Sequence, residues 1–253
     1  VSGAAFAPYL RRVRIRPDRV PGWDAFPFDL PFVPALDLEL RAPVTFFVGE
    51  NGSGKSTLLE AIAALLRLPV AGGGRTELAD EHAPDDGALL ATALVPSMTR
   101  SPRDLYFFRA EHVAHFAELL EAREDDPDFR GDPYASYGGK TLLRRSHGEA
   151  FLAMLTSRLG GGLYLMDEPE SALSPQRQLA LLARMWDLVE DGSTQLLIAT
   201  HSPILMTFPG AQIVSFDGGS LRDVRLEDTS HYEITSGVLS SPERYWKHLR
   251  DRS

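Results

Sequence analysis

An α/β fold with a mostly parallel core sheet is what this sequence predicts, and three observations predict it. Short apolar runs alternate with helical patterns along the chain, as the strand–helix units of a parallel sheet do. A glycine-rich loop sits between the first strong strand and the first strong helix. Further on, Ala211 to Phe216 and Leu221 to Leu226 flank Asp217-Gly218-Gly219, a hairpin signal that adds an antiparallel β region.

Composition sets the frame. The 253 residues are 43% hydrophobic and 24% charged, enough for one large domain or two small ones and for a sizeable core. Cysteine is absent, which removes disulfide and thiolate chemistry and fits a reducing, cytoplasmic setting. No stretch approaches the roughly 20 apolar residues that span a bilayer. The best candidate, Leu58 to Ala71, is broken by Glu60, Arg67 and Pro69, so no membrane span is expected; the first residues given hold no apolar core segment, so no signal peptide is expected either. A formal charge of -9 argues against a broadly basic nucleic-acid coat but leaves room for a local basic groove.

The elements follow in order. Tyr9 to Ile15 alternates, and the run is basic through Arg11, Arg12, Arg14 and Arg16; it reads as an edge strand whose basic face is solvated rather than a phosphate-binding stripe. Prolines at 17, 21, 27, 31 and 34 make the next segment loop. Ala35 to Leu40 alternates as a half-exposed strand does, and Val44 to Val48 is a buried strand feeding a helix over Lys55 to Arg67. Pro69 to Asp86 reads as a mobile loop, and Leu105 to Phe108 as a buried strand. His112 to Arg123 has helical spacing, and Glu124 to Lys140 is acidic, then rich in Gly and Tyr. A helix over about Gly148 to Leu159 closes on Gly160-Gly161-Gly162. A strand at Leu163 to Met166, a helix at about Pro175 to Glu190 and a strand at Gln195 to Ala199 continue the alternation. The segment from about Pro242 to Arg250 reads as a short helix.

Chemistry concentrates first in Gly49-Glu50-Asn51-Gly52-Ser53-Gly54-Lys55-Ser56-Thr57, which fits G-x-x-x-x-G-K-[ST] in its required strand-to-helix context. The glycines let backbone N–H groups close on a polyphosphate, and the new helix points its positive end at the same anion. Lys55 is placed to reach the outer phosphates and the Ser56 hydroxyl to hold magnesium.

Asp167-Glu168 ends an apolar strand, where parallel sheets bind ligands. Asp167 is expected to hold magnesium, directly or through water, and Glu168 to orient or deprotonate an attacking water. His201 follows the next strand in the same way, within Thr200-His201-Ser202-Pro203. Ser146-His147-Gly148-Glu149 opens a helix: Ser146 and Glu149 form a capping box, and Gly148 allows close backbone approach. His112-x-x-His115 reads as surface, since no third metal ligand lies near.

In this order the motifs resemble the ATP-binding cassette (ABC) ATPase superfamily, over about residues 35 to 216. Ser146–Glu149 takes the place of the signature, Leu163 to Glu168 of the Walker B strand, Ser171-Ala172-Leu173-Ser174 of the D-loop and His201 of the switch histidine. The resemblance implies ATP and Mg2+ as ligands, Mg-dependent ATP hydrolysis, and a homodimer that sandwiches two ATP molecules head to tail. Ser146, His147, Gly148 and Glu149 of one subunit would then cap the nucleotide of the other. It also implies one ATPase domain over residues 1–253, with a helical and loop subregion at about 69–160.

Three departures from the family pattern carry information. The signature closes on Glu149 where transporters carry Gln, as in the DNA-repair and chromosome-maintenance branch and the stand-alone ATPases near it. The glutamines stand at 176, 178, 195 and 212, so none lies between phosphate loop and signature; Arg109 or Glu111 takes that place. Of the aromatics before the phosphate loop, Phe26, Phe28 and Phe32 are candidates for an adenine platform, with core packing the simpler reading of each. About ninety residues separate loop and signature without heptads, so a compact head lacking a coiled-coil arm is expected. The motion of the dimer would serve a protein partner not named by the sequence: a DNA-linked or defence-type system, or a membrane transporter. A nucleotide-gated binding module with little turnover is the non-enzyme alternative.

Overall fold

A computed structural model describes residues 8–70, 72–74, 86–109, 149, 152–153, 155–156, 159–190 and 192–250. The strands among them are β1 (Leu10–Ile15), β2 (Asp37–Glu39), β3 (Val44–Val48), β4 (Gly73–Gly74), β5 (Leu94–Met98), β6 (Leu105–Arg109), β7 (Leu163–Asp167), β8 (Gln195–Ala199), β9 (Gln212–Ser215) and β10 (Arg222–Asp223). Seven form one sheet in the order β10-β9-β3-β8-β7-β6-β4. Its five central strands are mutually parallel, and β10 and β4 close the edges antiparallel.

A parallel sheet covered on both faces needs continuous apolar strands. Every residue of β3, β7 and β8 is buried accordingly. Phe47, Phe107, Leu165 and Leu197 face one core, and Phe46, Phe108, Met166 and Ile198 face the other. Helix α1 (Lys55–Leu65) covers the first core through Leu58, Leu59 and Ile62. Helix α2 (Asp86–Thr92) lies on α1 at Gly87, where a Cβ would stand 2.3 Å from Glu60 Cβ. Helix α3 (Pro175–Glu190) covers the second core through Leu181, Met185 and Leu188.

Strands β2, β1 and β5 form a separate antiparallel sheet beside the first core. Two glutamines, Gln195 buried and Gln212 half-buried, tie it down. Gln195 accepts from Leu10 N–H at 3.0 Å and donates to Leu10 C=O at 2.8 Å. Gln212 accepts from Arg41 N–H at 3.0 Å and donates to Glu39 C=O at 2.9 Å.

Two expectations need correction. β1 is the middle strand of its sheet, not an edge, because β5 pairs along its other side. Its arginines are partnered by β2: Arg12 forms a two-pronged ion pair with Asp37, and Arg11 reaches Glu39 at 4.0 Å. Within the expected loop from 69 to 86, Gly73–Gly74 adds an edge strand to β6, since ladder bonds require no side chain. The predicted spans of β3, α3, β8 and the last helix, α5 (Pro242–Arg250), match the observed ones. Before α5 comes α4 (Ser230–Ser240), whose N-cap Thr229 is buried and accepts from Tyr232 N–H at 3.3 Å. The segments expected at 112–123 and 124–140 lie outside the described residues.

No helix among the described residues is long and apolar enough to cross a membrane.

Candidate functional site

The sheet register gathers the predicted residues at one end. Phe47, Ala199, Asp167 and Arg109 are Cα partners across β3, β8, β7 and β6. The loops leaving those strands therefore share one rim, the carboxyl edge where open parallel sheets take ligands.

The phosphate loop, Gly49 to Thr57, crosses this rim from β3 into α1. Gly49 and Gly54 have φ of 148° and 93°. A Cβ on Gly54 would stand 2.7 Å from the Phe32 ring, so the loop seats on the core only without a side chain there. Asp217 fastens the other end by accepting from Glu50 N–H at 3.0 Å. Lys55 is buried, its ammonium donating to the carbonyls of Gly49 at 2.8 Å and Glu50 at 3.0 Å. Burial pulls its pKa below the ordinary lysine value, opposed by the carboxylates of Glu168, Asp167, Asp217 and Glu50. No side chain caps α1, and Ser53 Oγ is buried without a partner among the described residues. Uncapped first-turn N–H groups, a spare hydroxyl and a buried ammonium form a donor set that fits a polyphosphate.

Ser56 donates its hydroxyl to Asp167 Oδ1 at 3.0 Å. A hydroxyl and a carboxylate in contact supply the hard oxygens that Mg2+ takes from a protein while keeping waters and phosphate oxygens. The other Asp167 oxygen, Oδ2, lies 3.5 Å from Arg109, which also pairs with Glu60 at 2.6 Å.

Glu168 has φ 45° and ψ 53°, a left-handed conformation unusual for a residue with a side chain. Its N–H donates to Ala199 C=O at 2.9 Å, and Ser171 N–H and Oγ both donate to its carbonyl. Thus held, its carboxylate lies 3.4 Å from His201 Nε2. Glu170 accepts from His201 N–H at 2.5 Å, and Gln178 accepts from Ser202 Oγ at 2.6 Å. The first bond joins the loop after β7 to the loop after β8, and the second ties that latter loop to α3. Burial drives the Glu170 carboxyl above its ordinary pKa. Burial likewise lowers His201, helped by the charge of Lys55 and the neighbouring His231 and opposed by Glu168 and Glu50.

Sequence reasoning singled out Lys55, Ser56, Asp167, Glu168 and His201, and the structure brings them together. Ser146, His147, Gly148 and Glu111 lie outside the described residues. Glu149 pairs with Arg177 of α3 at 2.9 Å. Phe28 and Phe32 are core residues, as expected, whereas Phe26 is 47% exposed rather than packed. His231 was missed: its Nε2 lies 2.8 Å from His201 Nδ1. No local pattern announced it, because the contact joins residues thirty positions apart.

The chain is similar to known proteins. A family model described as "AAA domain, putative AbiEii toxin, Type IV TA system" matches residues 135–207, and an "AAA domain" model matches residues 31–78. The hemin import ATP-binding protein HmuV of Pseudomonas aeruginosa is 33% identical over 64% of this chain and 69% of its own. The cytochrome c biogenesis ATP-binding export protein CcmA of Rhodospirillum rubrum is 32% identical over 67% and 72% respectively. The solved ATP-binding cassette MJ1267 superposes with a TM-score of 0.53 at 15% identity, covering 90% of this chain and 99% of that one. With the phosphate loop, acidic strand end and following histidine in one rim, the chain belongs to the ABC ATPase superfamily.

Proposed function

We propose that this chain, working as one ATPase domain, hydrolyses Mg-ATP in a head-to-tail homodimer and passes the resulting motion to a protein partner. The contact of Ser56 with Asp167, beside Glu168 and His201 and over the Lys55 cradle, carries this reading. In it, the N–H groups of Gly52 to Thr57 and the Lys55 ammonium bind the β- and γ-phosphates. Ser56 and Asp167 hold Mg2+, which when bound screens phosphate charge. Glu168 aligns a water and takes its proton as the water oxygen bonds to γ-phosphorus. The bond from that phosphorus to the β,γ-bridging oxygen breaks, giving ADP and inorganic phosphate. His201 orients Glu168 and contacts the γ-phosphate. Ser146 to Glu149 of the second subunit cap the nucleotide.

The test is Glu168→Gln. Hydrolysis should fall at least 100-fold while ATP still binds, and Mg-ATP should double the mass seen by size exclusion with light scattering. Undiminished turnover would refute the role of Glu168, and a monomer at saturating Mg-ATP would refute the shared site.

A defence-type or DNA-linked partner is favoured over a transporter by Glu149, by Asp167-Glu168-Pro169-Glu170, and by the toxin-antitoxin description of the matching model. Arg109, at the end of β6 where transporters carry glutamine, points the same way. The import and export names of the relatives favour a transporter subunit as the second reading. DNA binding that strengthens with ATP and weakens with salt would decide for the first; co-purification with a membrane protein would decide for the second.

A further inference from the structure

The pair His201–His231 has a direction, fixed by the atoms around it. His201 Nδ1 and His231 Nε2 are 2.8 Å apart, so one of them carries the shared hydrogen. Two arrangements of neutral rings are available. In the first, His201 donates from Nδ1. Its Nε2 lone pair then faces the Glu168 carboxylate at 3.4 Å, and His231 must carry its other hydrogen on Nδ1. His231 Nδ1 is buried and has no partner among the described residues, so that N–H would be an orphaned donor. In the second, His231 donates from Nε2 and the lone-pair repulsion is removed; the buried N–H left without a hydrogen bond is then that of His201 Nε2, which has the Glu168 carboxylate 3.4 Å away, whereas His231 Nδ1–H would face no acceptor among the described residues. His201 Nε2–H faces the carboxylate, and the unpartnered His231 Nδ1 is a bare lone pair. Buried N–H groups without acceptors are the rarer and costlier case. The lowered pKa of His201 keeps its ring neutral near pH 7, as this assignment requires.

We propose that His231 is a positioning residue for the switch histidine: it donates Nε2–H to His201 Nδ1 and so locks His201 in the tautomer whose Nε2–H faces Glu168 and the phosphate site. The kinetic part of this rests on the ATPase reading above; the tautomer itself does not. His231 is well placed to hold a fixed pose. It sits at the second position of α4, behind the buried Thr229 cap, and its ring lies 4.9 Å from that of His201, centroid to centroid. A segment beyond the strands of the main sheet thereby reaches the catalytic rim through one hydrogen bond.

The experiment uses the full chain with ring nitrogens labelled with 15N, in wild type, His231→Ala, His231→Gln and His231→Asn. Glutamine can place a donor where Nε2 stood; asparagine is too short. In wild type, His201 should show a protonated Nε2 and a bare Nδ1. In His231→Ala and His231→Asn the His201 signals should move towards a mixture of tautomers, and in His231→Gln they should return. Steady-state ATP hydrolysis should show a 10- to 100-fold loss of kcat in the Ala and Asn variants with KM nearly unchanged, and recovery in Gln. A wild-type His201 with bare Nε2, or ring signals indifferent to His231→Ala, overturns the proposal. So does a tautomer shift that leaves kcat intact. If wild type lacks hydrolysis altogether, the ATPase reading fails, and the ring signals alone still decide who donates to whom.

Discussion

Arg109 Nη2 lies 3.5 Å from Asp167 Oδ2, the second oxygen of the carboxylate that accepts from Ser56 through Oδ1. The two residues are register partners on adjacent strands, so the contact is built by the sheet itself. Arg109 also grips Glu60 on α1 at 2.6 Å and the carbonyl of Val70 at 3.2 Å. One planar guanidinium thus fixes the acidic strand end against the helix that leaves the phosphate loop.

Both carboxylates are nearly buried, with side chains 12% and 8% exposed. Removing a cation from such a site leaves buried charge undercompensated, which typically costs about 3–5 kcal/mol. Arg109→Ala should therefore lower unfolding free energy by about 3 kcal/mol in urea titration. Arg109→Lys should recover only part of it, because a point charge cannot span two carboxylates. An Ala variant within about 0.5 kcal/mol of wild type would show that the ion pairs are not what joins β6 to β7 and α1.

Glu168 offers a cleaner test of strain. Its left-handed backbone costs roughly 1–2 kcal/mol in any residue with a Cβ, and glycine returns about 0.5–1 kcal/mol of that gain as extra chain entropy. Glu168→Gly and Glu168→Ala both delete the carboxylate, yet only Gly relieves the strain. The Gly variant should be more stable by about 0.5–1 kcal/mol, read as a difference in denaturation midpoints at constant slope. Equal stabilities would mean that the loop relaxes out of the left-handed conformation in solution.

How far the sequence carried the reading varies by element, for physical reasons. β3, β7 and β8 are buried on both faces, so their apolar runs are unbroken and easy to see. The phosphate loop and Asp167-Glu168 are contiguous, and contiguous chemistry is legible. β5 was not, because Pro96 interrupts it; the proline is tolerated where the strand forms an edge against β1. With its partner unseen, β1 looked like an edge. α4 buries none of its side chains, so it has no apolar stripe to detect. Glu170 and His231 act on His201 only through folded proximity, and a single sequence holds no record of that.

The titration of His201 gives the last prediction. Its folded pKa lies below the ordinary value of 6.5, chiefly from burial and secondarily from Lys55. As pH falls through 6.5 the unfolded chain takes up the proton first, so it binds more protons than the native state. Stability then rises with pH in that window and is lost as pH falls from about 6.5 to the folded pKa. Below the folded value the effect levels off. The ring is partly open to solvent, so the loss should be no more than about 1 kcal/mol. Unfolding free energy measured at pH 7.5 and 5.5 should differ more in wild type than in His201→Gln, which cannot titrate. The same shift should let hydrolysis persist to lower pH than an ordinary histidine would permit, since the neutral ring survives further into acid. Beyond burial, Lys55 and Glu168 act on His201 with opposite signs: the ring titration, followed by NMR, should move up in Lys55→Met and further down in Glu168→Gln. A stability difference unchanged by His201→Gln would assign the acid sensitivity to another group.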